Sequence, residues 1–195
     1  MSASATFTFG AGTLTIVLQN LQTSVNSPGQ AVCGVEFNGL AGSTLSSAVG
    51  QLTSYNGNSW SAPGSPTSLT HWAIDGNGDL WTLTGGKPDE LIVGPNGAGN
   101  GGVGNFDPYV YESATFVLRN ASFTAASTIS GDVTFQFGTQ AEGLLYTSVS
   151  NPQGGGQPVP EPSTAIAAAL LALPLGVGTL RWLRETAPTA PESQG

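Results

Sequence analysis

The chain has 195 residues, with 28 glycines, 13 prolines, only 8% charged residues and a formal net charge of −8. An ordinary soluble domain has about 25% charged residues, so this composition excludes a helix-rich cytosolic enzyme. Its four lysines and arginines exclude a nucleic-acid-binding protein, because such binding usually takes about six to ten phosphate contacts. Since 39% of the residues are hydrophobic, the composition favours a folded, turn-rich all-β chain that is exported.

The first part of the chain contains short runs in which polar and apolar residues alternate, a pattern typical of half-buried β-strands. Residues 6–20 predict two strands joined at a Gly-Ala-Gly turn, and residues 30–37 and 45–53 predict one strand each. Residues 54–68, which surround Trp60, are rich in Ser, Asn, Gly and Pro. They therefore predict a loop.

Residues 69–84 predict a β-hairpin, because two strand-like runs flank Asp-Gly and Asn-Gly pairs that tolerate positive φ in tight turns. Residues 94–108 form a long Gly/Asn-rich stretch, predicted to be a functional or mobile loop. Further strands are predicted at residues 114–120, 132–138 and 144–150. Short strands with frequent turn signals indicate an all-β fold of the β-sandwich or jelly-roll type over residues 1–150.

Few residues in this region suit catalysis. Cys33 is the single cysteine, which excludes an internal disulfide; its apolar setting predicts a small buried side chain, with an intermolecular bridge or lipid attachment as alternatives. His71, the single histidine, is predicted to be structural or exposed, and one His with one Cys argues against zinc binding. The chain has no Gly-x-Ser-x-Gly motif, and no spacing pairs two carboxylates as a glycan-active enzyme needs. We expect no enzymatic activity.

One segment resembles the start of a calcium-binding loop. Asp75, Asn77 and Asp79 place oxygen ligands at alternate positions. An EF-hand needs a Glu at the twelfth position, which here is Gly86, and needs helical flanks where this sequence predicts strands. A plain hairpin turn is the favoured interpretation and a weak calcium site is the alternative; no other cofactor is expected.

Three tryptophans precede residue 150, and exposed aromatic faces suit the stacking of sugar rings. Trp72 and Trp81 fall on the paired strands of the predicted hairpin, which favours packing in the core. Trp60 falls in a predicted loop and is the better candidate for sugar binding. Tyr109 and Tyr111, which border the Gly-rich loop, are candidates to contribute to such a site.

The composition changes after residue 150. Residues 151–158 predict a flexible Gly/Pro linker. Residues 163–183 predict a transmembrane helix, because 21 largely apolar residues at about 1.5 Å each span the roughly 30 Å of a hydrocarbon core. Arg181 and Arg184 follow the apolar run, so the positive-inside rule predicts a cytoplasmic C-terminus with the β domain outside the cytoplasm. Residues 185–195 predict a short polar cytoplasmic tail.

Residues 159–184 resemble the PEP-CTERM sorting signal of Gram-negative bacteria, in which a Pro-Glu-Pro motif, a single hydrophobic span and a basic end follow one another. Here the motif is Pro160, Glu161 and Pro162, and the basic end is Arg181 with Arg184. The two arginines are separated by Trp-Leu and followed by an acidic residue, where the usual pattern has a tighter basic cluster.

The resemblance implies export, transient anchoring in membrane lipid, and cleavage near Pro-Glu-Pro by an exosortase. It also implies a link to exopolysaccharide and the biofilm matrix. Residues 1–5 have neither the basic nor the apolar region of a signal peptide, so we expect an export leader upstream of Met1. The sequence therefore predicts a noncatalytic protein of the envelope or extracellular matrix, with a tethered carbohydrate-binding module as the alternative.

Overall fold

A computed structural model of the chain describes residues 1–23, 25, 27–75, 78–82, 88–97 and 103–139, and the backbone of 145–150. These residues form strands, two 3₁₀ turns at Pro28–Gln30 and Val103–Asn105, and no α-helix. The strands are β1 (Ala3–Gly10), β2 (Thr13–Asn20), β3 (Val32–Phe37), β4 (Thr44–Thr53), β5 (Pro66–Ser68), β6 (Ala73–Ile74), β7 (Leu80–Trp81), β8 (Ile92–Val93), β9 (Tyr109–Arg119), β10 (Asp132–Phe137) and β11 (Leu145–Ser150). The all-β prediction is thus confirmed.

The strands form one mixed sheet in the order β1-β2-β9-β8-β3-β10-β11. In addition, β4 pairs with β5 and β9, while β6 and β7 form a hairpin whose second strand pairs with β3. All pairs are antiparallel except β8 with β9, which is parallel. The hairpin of β1 and β2 closes at Gly12, whose φ of 70° is a conformation that glycine adopts without steric cost.

The main core joins strands that are not neighbours in the sheet. The rings of Phe7 on β1 and Phe37 on β3 contact each other edge to face, with centroids 4.8 Å apart, and Trp72 packs on Phe116 at 4.7 Å. The fully buried members of this cluster on β2, β9 and β10 are Leu14, Ile16, Leu18, Val110, Phe116, Leu118 and Phe137. Their burial supplies the apolar driving force for folding.

A second hydrophobic cluster lies on the other face of β8 and β9. Neighbouring residues of a strand point to opposite faces of a sheet, so Ile92 and Val110 enter the main core while Val93 and Tyr109 enter the second cluster. The other buried members of the second cluster are Val25, Ala31, Cys33 and Leu91, and those packed against it are Tyr55, Trp60, Trp81 and Phe106. The sheet is therefore covered on both faces at β8 and β9.

A β-bulge divides β9 into two parts. On β4, Gly50 pairs with Ala114 and Leu52 with Val110, so one residue of β4 lies opposite residues 111–113 of β9. Glu112 has a φ of 57°, which is uncommon for a residue other than glycine. Beyond the bulge β9 pairs with β2, and before it β9 pairs with β8. The bulge therefore lets one strand serve both parts of the sheet.

Several sequence predictions need correction. Residues 54–68 are not entirely loop, because Tyr55 and Trp60 form an isolated β-bridge and β5 follows. The hairpin predicted over 69–84 exists, and among the residues of this range that the structure describes its paired part is β6 and β7. β8 was not predicted. Within the part of the chain that the structure describes, no helix is long and apolar enough to cross a membrane; the predicted linker, span and tail at 151–195 lie outside that part.

The burial of Cys33 yields a test of the fold. Its side chain is fully buried, as the sequence predicts, and burial raises the pKa of the thiol from 9.0 to about 12. Because the thiolate is the reactive species, we expect no labelling by Ellman's reagent at pH 8 in native buffer, and full labelling in guanidinium. Complete labelling of the native protein within seconds would contradict the buried position.

The same shift makes stability depend on pH. The thiol of the unfolded chain ionises at a lower pH than the folded one, so this group's contribution to stability falls as the pH rises from about 9 towards about 12. We expect Cys33→Ala to weaken that alkaline loss of stability, measured by urea unfolding as a function of pH. An equal loss in both proteins would contradict the assignment.

Candidate functional site

An open groove lies beside the second cluster, and we call it the Trp60 groove. Its volume is about 210 Å³. Its lining includes the aromatic residues Trp60 and Tyr111, the prolines Pro63 and Pro95, and the hydroxyl-bearing residues Thr53 and Ser61. The lining comes from the end of β4, the loop after it, the turn after β8, and the bulge of β9.

Trp60 is held in place on several sides. Its ring lies 5.5 Å from that of Tyr55 and 5.1 Å from that of Tyr109, the latter edge to face. Gly97, with a φ of 70°, lies against the indole so closely that a Cβ there would fall 2.1 Å from Cε2. Only glycine fits at this position. Trp60 is thus half-buried, where the sequence predicted a loop residue; the part that stays exposed borders the groove.

Three hydrogen bonds fix the loop that carries Trp60. The Thr53 hydroxyl donates to the Ser61 carbonyl at 2.9 Å, and the Ser54 amide donates to the Ser61 hydroxyl at 2.9 Å. The Tyr55 amide donates to the Asp107 carboxylate at 3.0 Å, which ties the loop to the segment before β9. The groove therefore exists before any ligand binds, which lowers the entropic cost of binding.

Tyr111 also lines the groove and lies at the bulge of β9. Desolvation, followed by a hydrogen bond to Glu112 and that carboxylate's charge, raises the pKa of the Tyr111 hydroxyl. Tyr111 therefore stays a neutral phenol at physiological pH. None of the described residues that line the groove has a charged side chain.

A cluster of polar side chains, which the sequence did not predict, surrounds His71. Its Nε2 lies 3.5 Å from Asp89 Oδ2 and its Nδ1 lies 3.4 Å from Glu90 Oε1. The two carboxylates are 18 and 19 residues further along the chain, so no local motif reveals the contact. His71 is 46% exposed, in agreement with the predicted surface or structural role.

Glu90 organises this cluster although its side chain is only 5% exposed. Its two carboxylate oxygens accept the amides of Thr70 and His71, each at 3.0 Å, while its carbonyl accepts Trp72 Nε1 at 3.0 Å. Its own φ is 60°. These bonds tie the segment before β6 to the segment before β8. The arrangement is a structural clamp, and the buried Trp72 is a core residue as the sequence predicts.

The two ends of the candidate calcium segment, Asp75 and Asp79, are hydrogen-bonded to each other. The Asp79 amide donates to Asp75 Oδ1 at 2.9 Å, and the Asp75 amide donates to the Asp79 carbonyl at 3.0 Å. Burial, and then the charges of Glu36 and Asp75, raise the pKa of Asp79. Among the described residues no group of three His, Cys, Asp or Glu side chains is placed to hold a metal ion. Asn77 lies outside them, so weak calcium binding stays a prediction.

The sorting-signal residues also lie outside the described part of the chain: Pro160, Glu161, Pro162, Arg181 and Arg184. Comparison with known proteins adds no family assignment, because no protein-family model, no curated protein and no solved structure matches the chain.

The Glu90 clamp can be tested by substitution. Glu90→Ala leaves the amides of Thr70 and His71 without their carboxylate acceptor, and a hydrogen bond to a charged group contributes about 1.5–3 kcal/mol. We expect urea unfolding to show a loss of stability of that size. The matched control is Glu36→Ala at an exposed position of β3, which should stay within about 0.5 kcal/mol of the parent. Equal effects of the two substitutions would show that Glu90 does not act as a clamp.

Proposed function

We propose that this chain is a noncatalytic, exported protein of the cell envelope or extracellular matrix, sorted by its C-terminal segment. Pro160, Glu161 and Pro162 are the sorting motif, and an exosortase cleaves the chain near it. Arg181 and Arg184 hold the end of the membrane span on the cytoplasmic side until cleavage. The mature protein then associates with exopolysaccharide of the biofilm matrix.

The observation that carries this proposal is the order of three elements at the C-terminus: Pro-Glu-Pro, an uncharged run at residues 165–180, and two arginines. The physical chemistry is compatible with this role. From the sequence we expect the prolines to favour an extended conformation at Glu161, which would leave the motif open to an enzyme at the membrane surface. Trp182 suits the interface between lipid and water, and Pro174 is tolerated in a membrane-spanning helix.

For the β domain we propose the finer architecture of a β-sandwich or jelly roll. Contact between the rings of Phe7 and Phe37 across the main core supports two packed layers. Such a domain needs no disulfide if its core is large enough, and the chain has a single cysteine. It is suited to an exported protein outside the cytoplasm.

A second candidate role is that of a carbohydrate-binding module tethered to the cell surface. The observation that favours it is the Trp60 groove, in which aromatic rings and hydroxyl groups line one preformed site. Aromatic side chains bring large apolar area to a binding site, and hydroxyl groups orient a polar ligand there.

The sorting proposal predicts the fate of a triple variant in the source organism. Replacing Pro160, Glu161 and Pro162 by alanine should leave the full-length chain in the membrane fraction, because the exosortase lacks its recognition motif. Immunoblotting of cell fractions measures this. The control replaces Pro188 and Pro191, which follow the span, and should be processed normally. Normal processing of the variant at residues 160–162 would refute the sorting role.

The carbohydrate-binding proposal predicts that Trp60→Ala weakens glycan binding at least tenfold on a glycan array, since central aromatic side chains dominate binding energy. Leu21→Ala changes an exposed apolar residue that does not line the groove, and should bind as the parent does. Protection of Cys33 from Ellman's reagent shows that each variant is folded. Glycan binding unaffected by Trp60→Ala would remove Trp60 from the site.

A further inference from the structure

The lining of the Trp60 groove restricts which carbohydrate it accepts. We infer that the groove binds a single uncharged hexose unit of a polysaccharide, between Trp60 and Tyr111. This inference rests on the proposed carbohydrate-binding role and adds the chemical class of the ligand. It follows from the size of the groove, the polar groups that line it and its charge.

Size limits the occupant to about one sugar ring. Pockets for drug-sized ligands have volumes of roughly 300–1,000 Å³, whereas this groove has about 210 Å³. The groove is partly open to solvent, so we expect the neighbouring units of a polymer to lie outside it. A single unit of a long chain therefore engages the site.

The polar groups suit the hydroxyls of a sugar. Thr53 and Ser61 both line the groove, and a hydroxyl has one donor and two acceptor positions. Thr53 is buried, and its hydroxyl is bonded to the Ser61 carbonyl and lies 3.4 Å from the Ser61 hydroxyl. Ser61 is exposed, and its hydroxyl, which also accepts the Ser54 amide, keeps an acceptor position for a ligand. The prolines and the exposed part of Trp60 supply apolar surface for the C–H face of a ring.

Charge excludes acidic sugars. The groove has no basic side chain among the described residues of its lining, the Asp107 carboxylate accepts the amide of Tyr55, whose ring supports Trp60, and Glu112 directly follows Tyr111 in the chain. The whole chain has a net charge of −8. A uronate or sulfate group would therefore meet repulsion and no compensating partner.

An aromatic groove with prolines is also the kind of surface that binds a proline-rich peptide. Such peptides form a polyproline helix with three residues per turn and about 3.1 Å rise per residue, and need a groove that extends over successive turns. The small volume and the hydroxyl groups of the Trp60 groove favour a sugar. A proline-rich peptide is therefore the competing occupant in the test.

The experiment uses the purified full-length chain in a detergent whose head group is not a sugar. Isothermal titration compares neutral glucan and mannan oligosaccharides with oligogalacturonate and with a proline decapeptide. We expect the neutral glycans to bind, with an affinity that is unchanged by added sodium chloride because no ion pair forms. Oligogalacturonate and the peptide should bind at least tenfold more weakly.

Two arginine variants locate the site without disturbing the core. Ala62 is exposed and lines the groove, so Ala62→Arg fills it and should weaken binding of neutral glycans at least tenfold. Ala126 is exposed and does not line it, so Ala126→Arg is the matched control and should bind as the parent does.

The outcomes separate this inference from the proposed role. Tighter binding of oligogalacturonate than of neutral glycans overturns the ligand class and leaves the carbohydrate-binding role intact. Neutral-glycan binding that Ala62→Arg leaves unchanged overturns the assignment to this groove, again without refuting the role. Binding of the proline peptide alone, or of no probe, overturns both.

Discussion

Strand β9 is the constraint on which the rest of the structure depends, because it pairs with three strands and lies between two hydrophobic clusters. Its neighbouring residues Tyr109 and Val110 enter different clusters. The bulge at Glu112 lets the strand change from β8 to β2 along one edge while β4 stays on the other. A strand whose first two residues are buried on opposite faces and whose two edges are both paired leaves little freedom for its neighbours.

The Trp60 groove is a consequence of this arrangement. Tyr109 supports the ring of Trp60 from the second cluster, and Tyr111, at the bulge, also lines the groove. The Glu90 clamp acts on the same region, because the Glu90 amide donates to the Pro108 carbonyl directly before β9. Core packing, the clamp and the groove are therefore parts of one connected structure.

The sequence predicts those elements whose signals are local. Alternation and turn residues identify the β1–β2 hairpin and the β6–β7 hairpin, and the apolar setting of Cys33 predicts its burial. β8 escapes prediction because Ile92 and Val93 are both buried, so no alternation marks them. The Glu90 contacts join residues about 20 positions apart, so no local pattern predicts them. The positive φ of Glu112 is not predicted either, because glutamate rarely adopts that conformation.

For Trp60, the sequence predicts a candidate binding residue but not the contacts that hold it in place. Its position in a Ser/Gly-rich segment makes it a reasonable binding candidate, and the structure brings it to a groove. The supports from Tyr55, Tyr109 and Gly97 depend on contacts that no local pattern encodes.

The proposed function depends on sorting and release of the chain. Its most direct test is the intact mass of the protein isolated from the envelope or matrix of the source cells. The account predicts a mature chain whose C-terminus lies at or next to residues 160–162; an envelope form that still ends at Gly195 would contradict it.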